Sequence, residues 1–382
     1  MKNQVYFASL KATVQRNLFD KIDTLLERID LSQRVKNNDL VAIKLHFGER
    51  GNAAFIRPIF IRRIVDQVKK YKGKPFLTDA NTLYRGDRSE AVSHLTLAVE
   101  HGFNYAVVNA PLIIADGLRG NTYEKVKINQ RILKEVYVGA EIIHADTLIS
   151  CAHFKGHELT GFGGTLKNLG MGCASRQGKL NQHSSLSPKV DNKKCTSCQE
   201  CIIRCPENAI SLSNQKARIE EKKCIGCAEC IMTCPEGAIQ IRWNEPFDVF
   251  QKKMVEYAYG ALKGKRKKAI FLNFLTQISP ACDCYGMADA PIVPDIGILA
   301  STDPVAIDQA SCDLVNQSVG LEGTALKANK KRGEDKFRAV YPKVDWTIQL
   351  DYAQSIGLGS REYELIRVCE QVGRPTDSPL QI

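Results

Sequence analysis

Eight cysteines occupy two short blocks, CTSCQECIIRCP at 195–206 and CIGCAECIMTCP at 224–235. In each block three cysteines are spaced by two residues and a fourth precedes a proline. The second block repeats the first at an offset of 29: Cys195 with Cys224, Cys198 with Cys227, Cys201 with Cys230, and Cys205 with Cys234. Pro206 and Pro235, Glu207 and Glu236, Ala209 and Ala238, and Ile210 and Ile239 keep the same step, so the segment is a duplicated structural unit. Thiolates at this density are soft metal ligands. Three of them spaced by two residues let one tight loop surround an iron–sulfur cube, with the fourth supplied from elsewhere.

Two structural zinc sites or a disulfide knot are the competing readings. Zinc ribbons pair two CxxC halves across a longer gap, and neither alternative accounts for a third cysteine plus Cys-Pro in both blocks. The segment closely resembles the bacterial two-cluster ferredoxins, in which the last cysteine of each block serves the other cluster. That resemblance implies two 4Fe-4S clusters, one on Cys195, Cys198, Cys201 and Cys234, the other on Cys224, Cys227, Cys230 and Cys205. Such clusters carry single electrons and do no group chemistry themselves. Residues 188–243 hold nine Lys/Arg and seven Asp/Glu, whereas a freestanding carrier of this type is usually strongly acidic. The module is therefore expected to be built into a larger protein.

The elements around it support that expectation. The flanks SSLSPKVDNKK and WNEPFD are polar and turn-rich, marking 188–243 as an insertion in a host made of 1–187 and 244–382. In the host, 5–9, 39–47, 75–80, 105–110, 146–154, 269–279 and 295–301 read as strands. Segments 55–71, 89–102, 246–262 and 304–317 read as helices, the last with Pro304 at its first position. The alternation predicts an α/β fold, a largely parallel sheet covered by helices, carrying an inserted α+β two-cluster domain.

Open sheets of this kind gather ligands beyond the carboxyl ends of their strands. There the sequence places Lys44, His46, Glu49 and Arg50; Asp79, Asn81 and Arg85; and Cys151, His153, Lys155 and His157. Most are cationic or become so, which suits an anionic small molecule, with Lys44, His46, His153 and Lys155 orienting it and a histidine supplying a proton. In TGFGGTLKNLG, Gly161, Gly163 and Gly164 precede a short helix carrying Lys167 and Asn168, an arrangement for an anion or simply a tight turn. Of the remaining cysteines, Cys312 and Cys369 read as small buried hydrophobes, Cys151 and Cys173 have no assigned role, and Cys282 and Cys284 flank Asp283 in a CxC. One further metal site from His153, His157, His183, Cys282 and Cys284 is conceivable. Asp303 reads as a helix N-cap, while Asp308 faces either solvent or the site.

The chain has 382 residues and a formal net charge of +11, which favours anionic partners. The basic run KGKRKK at 263–268 reads as a solvated loop, so a nucleic-acid partner is not indicated. No apolar run approaches the roughly 20 residues of a membrane span, and no secretory leader is evident, so the expected address is cytoplasmic. The stretches DLVAIKLHFG, GGTLKNLGMGC, CDCYG and DIGILASTDPVAIDQA resemble the DUF362 family. That resemblance implies an iron–sulfur protein of undefined activity whose host domain often carries a ferredoxin insertion. The leading expectation is an oxidoreductase that moves electrons through the two clusters to an anionic substrate or metal in the host. The others are an electron-transfer subunit docking a partner redox protein, and a cluster or metal delivery protein. No dinucleotide fingerprint is present, and a flavin stays open.

Overall fold

The structure, a computed structural model, describes residues 2–368. Eight strands form the central sheet in the order Tyr363–Arg367, Asn3–Ser9, Gly297–Ser301, Ala269–Leu275, Thr147–His153, Leu40–Lys44, Lys74–Asp79 and Leu112–Ile114. Gly297–Ser301 runs antiparallel to both neighbours, and every other pairing is parallel. The register sets Ile43 opposite Ile149 and Leu77, and Leu272 opposite Cys151.

The central strands are apolar on both faces because helices cover both. All seven residues of Thr147–His153 and of Ala269–Leu275 are buried. Alternation divides them: Ile149, Cys151, Ile270, Leu272 and Phe274 join one core with helices Leu18–Arg28 and Pro58–Lys70. Leu148, Phe271 and Leu275 join the other, with helices Phe247–Ala261 and Pro304–Asn316. The result is a three-layer α/β domain.

Most expected elements form, with some shifts. The helix expected from 55 begins at Pro58, where a proline at the first position is favoured. Segment 105–110, expected as a strand, instead makes a helical turn, Tyr105–Val108. The Asn104 side chain caps it, and Asn109 closes it in the left-handed region at φ 58°. The edge strand comes later, at Leu112–Ile114, because the Asn104 side-chain cap and the left-handed Asn109 outweigh the β-branched pair between them. A hairpin, Tyr123–Lys127 with Glu135–Gly139, was not foreseen.

Within 188–241, entry and exit pair antiparallel as Lys189–Val190 with Ile239–Gln240, and a hairpin forms from Ile210–Ser213 and Lys216–Ile219. The backbone repeats with the cysteines. Positive φ recurs at Ser197 and Gly226, Gln199 and Ala228, and Asn208 and Gly237. Short helices follow at Glu200–Ile203 and Glu229–Thr233. The halves also exchange partners: Asp191 N donates to Ala238 O at 2.7 Å, and Glu220 N to Ala209 O at 2.8 Å. Each half therefore completes the other.

Candidate functional site

Two hollows lie in the repeat. One is lined by Cys195, Cys198, Cys201 and Cys234 with Leu212 and Ala238. The other is lined by Cys205, Cys224, Cys227 and Cys230 with Pro188 and Ile219. The left-handed residues turn each CxxCxxC stretch inward, and the exchanged pairing carries Cys205 and Cys234 across to the opposite hollow. Backbone amides point at sulfur: Ala217 N to Cys195 Sγ at 3.4 Å, Ala209 N to Cys205 Sγ at 3.3 Å and Ala238 N to Cys234 Sγ at 3.2 Å. The Ala217 amide lowers the Cys195 thiol, while burial raises Cys227 and Cys230. Among the described residues no three His, Cys, Asp or Glu side chains converge as they would around a single ion.

The hollow of Cys224 faces the host. Gln177 Nε2 donates to Ile225 O at 3.0 Å, Arg176 pairs with Glu229 at 3.5 Å, and Leu180 and Leu83 belong to the same apolar cluster as Cys201 and Cys230. Arg85 Nη1 donates to Pro235 O at 3.0 Å. Cys198, in the other hollow, is exposed.

The expected host residues do assemble at the strand ends, but as neutralised pairs. Lys44 is buried, forms an ion pair with Asp79 Oδ1 at 3.0 Å, and donates to Asn168 Oδ1 at 2.9 Å and Leu45 O at 3.0 Å. Lys155 forms an ion pair with Asp283 Oδ2 at 3.2 Å and donates to His153 O at 2.9 Å. Burial alone would raise Asp79 and Asp283; neighbouring cations, led by Lys44 for Asp79 and His153 for Asp283, overcome this and hold both well below the carboxylate range. With a buried carboxylate on each lysine, the net-positive anion pocket expected from the sequence is not what these residues build. His46 accepts from Gly48 N at 2.9 Å, and burial keeps it neutral. Arg88, which the sequence did not single out, pairs with Glu49 at 3.1 Å and donates to Tyr84 Oη at 2.8 Å. Arg50 is exposed, pairing with Asp87 and Glu100. Asn81 serves structure by donating to Asp116 Oδ1 at 2.9 Å.

The glycine-rich turn is also spoken for. The amides of Thr165 and Leu166, which open helix Thr165–Gly170, donate to Asp308 at 2.7 and 2.8 Å, and Asn273 Nδ2 donates to the same carboxylate at 2.8 Å. A Cβ at Gly164 would lie 2.3 Å from Asp308 Oδ1, so the glycine makes room for this internal anion. Burial pushes Asp308 up to about 6. Asp303 caps its helix as expected, accepting from Val305 N and Ala306 N.

The proposed extra metal set is only partly brought together. Both nitrogens of His153 are committed, Nδ1 to Asp283 at 2.8 Å and Nε2 to Thr276 O at 2.8 Å. His183 stacks on Phe250 at 4.7 Å, and burial lowers it to about 3. Cys282, Cys284, His157 and Lys167 do meet. Lys167 Nζ donates to Cys282 Sγ at 2.8 Å and the Cys284 amide donates to it at 3.4 Å, with His157 close enough to help lower that thiol. Behind them, the hairpin of Lys155–His157 and Gly161–Gly163 packs closely: Gly156 N donates to Ser279 O at 2.9 Å. Cys151, Cys173 and Cys312 are buried among apolar side chains, and burial raises all three thiols. Cys369 lies outside the described residues. The lysine–thiolate contact escaped the sequence, since 115 positions separate its members and only the CxC itself gave a signal.

A family model described as "Domain of unknown function (DUF362)" matches residues 41–313. Among solved structures, the lactate racemase apoprotein from Thermoanaerobacterium thermosaccharolyticum is similar at 15% identity with a TM-score of 0.39, covering 72% of this chain. The match spans about half of that protein, 51% of its length. No curated protein matches the sequence.

Proposed function

The chain belongs to the DUF362 family, and from that footing we propose that residues 188–243 hold two 4Fe-4S clusters and that the protein is an iron–sulfur electron-transfer protein serving the buried polar centre of its α/β host. The observation that carries this reading is the sorting of eight cysteines into two hollows of four, each taking its last member from the other block. The donors suit such groups: all thiols, apolar walls, and backbone amides on three sulfurs. When bound, the clusters would supply one-electron chemistry at this end of the molecule.

The chain's own residues give the transfer a direction. Exposed Cys198, with Ile203 74% exposed nearby in sequence, supports a redox partner protein docking at the outer hollow. The inner hollow touches the host through Gln177, Leu180 and Arg176. Tyr84 and Arg85 then join the two regions: Arg85 binds Pro235 O in the insert, and Tyr84 Oη donates to Cys284 O in the host at 3.1 Å. Anaerobic purification tests the reading, with about eight iron and eight sulfide per chain expected for two Cys₄ cubes. A colourless, iron-poor protein, or one filled with zinc, refutes it.

A further inference from the structure

We propose that Cys282 and Cys284 are a redox-active dithiol that makes and breaks a disulfide within one turn, and that the host centre thereby exchanges electron pairs with small organic disulfides. The link from this pair to the insert rests on the iron–sulfur reading; the pair itself rests on geometry. Tyr285 N donates to Cys282 O at 3.1 Å, closing a four-residue turn over 282–285. Such a turn folds its ends to within about 7 Å, so the two cysteines, nearer still, come within the span a disulfide bridges. The backbone already folds back on the first thiol, since the Cys284 amide donates to Cys282 Sγ at 3.4 Å. Two donors thus stabilise charge on Cys282, this amide and the Lys167 ammonium at 2.8 Å. The Cys284 side chain, then Lys167, hold the Cys282 thiol down against burial, while proximity to Cys282 and burial hold Cys284 up.

Exposure divides the roles. Cys282 is 1% exposed, whereas Cys284 is only half-buried, beneath the exposed rim residues Tyr285 and Met287. Cys284 Sγ attacks one sulfur of R–S–S–R as its proton passes to the neighbouring Cys282 thiolate. A Cys284–S–S–R bond forms and RS⁻ leaves, taking that proton from Cys282. The Cys282 thiolate then attacks Cys284 Sγ, forming the internal disulfide and expelling the second RS⁻, which is protonated by solvent. The substrate gains two electrons and two protons; the pair loses two electrons. A dithiol or two single electrons restores it. The partial burial of Cys284 favours a small disulfide over one embedded in a folded protein.

The test uses full-length protein purified without oxygen, its iron and sulfide counted first. The protein is incubated with oxidised glutathione, thiols are blocked by alkylation, and the peptide carrying residues 282 and 284 is weighed. An unalkylated peptide two mass units lighter, restored by dithiothreitol and abolished in Cys282→Ser and Cys284→Ser, is the expected result. Lys167→Met should slow the exchange at pH 7 on the order of tenfold, because the Cys282 thiolate loses its ammonium partner. Full alkylation of both cysteines in wild-type protein after a large excess of oxidised glutathione overturns the proposal, whatever the iron content. A disulfide formed in iron-poor protein sustains the pair and sinks the cluster reading instead. Equal reactivity toward insulin disulfides overturns the small-substrate assignment.

Discussion

Crossing of the fourth ligand between the two cysteine blocks is open to a direct test by paired substitutions. Cys234 lines the hollow of Cys195, Cys198 and Cys201, while Cys205 lines that of Cys224, Cys227 and Cys230. A single Cys198→Ala or Cys234→Ala then removes one of four thiolates from the same hollow, and each is expected to lower bound iron from about eight to about four per chain. The double variant Cys198→Ala/Cys234→Ala strikes that hollow twice and should retain the same four. Cys198→Ala/Cys205→Ala strikes both hollows and should retain almost none. Iron and sulfide analysis of the four proteins, with circular dichroism to confirm that the host sheet persists, gives the answer. The two doubles behave oppositely if each block keeps its own fourth cysteine, so iron lost from the first double and half kept by the second would refute the crossed arrangement. The effects are non-additive within a hollow and additive between hollows, as expected for residues that share a partner and residues that do not.

Other consequences concern the host. Asp308→Ala orphans the buried donors of Thr165, Leu166 and Asn273 and should cost about 3–6 kcal/mol, read from urea unfolding; a loss under 1 kcal/mol would show that the carboxylate does not hold this turn. Asp283 has a folded pKa depressed below its unfolded value of about 3.9, so its stabilisation is present above that pH and is lost as pH falls through the folded pKa. Asp283→Asn should therefore flatten the acid limb of the stability curve while costing about 3–5 kcal/mol at pH 7, because Lys155 is left buried and unpaired. Gly156→Ala sets a Cβ 2.1 Å from Pro280 O and must push back the segment leading to the CxC turn; about 1–3 kcal/mol of destabilisation in thermal melts is expected, and an unchanged melting temperature would contradict the packing.

The sequence by itself determined the repeat, because ligand spacing is local: CxxCxxC closes a loop whatever surrounds it, and the same left-handed backbone recurs at Gln199 and Ala228. It also determined the parallel α/β layering, since runs such as TLISCAH and AIFLNFL are apolar on both faces and only a sheet covered twice buries them. It misled at 105–110, where two asparagines captured the backbone into a helical turn. Tertiary structure alone decided what the charged strand ends do. Lys44, Lys155 and the amides before Lys167 look like an anion site when read along the chain, yet Asp79, itself one of the strand-end residues, pairs with Lys44, and Asp283 and Asp308 arrive from distant segments to occupy the other two. Electrostatic pairing in a buried centre depends on distance in space, and the 115 residues between Lys167 and Cys282 carry no trace of the 2.8 Å that joins them.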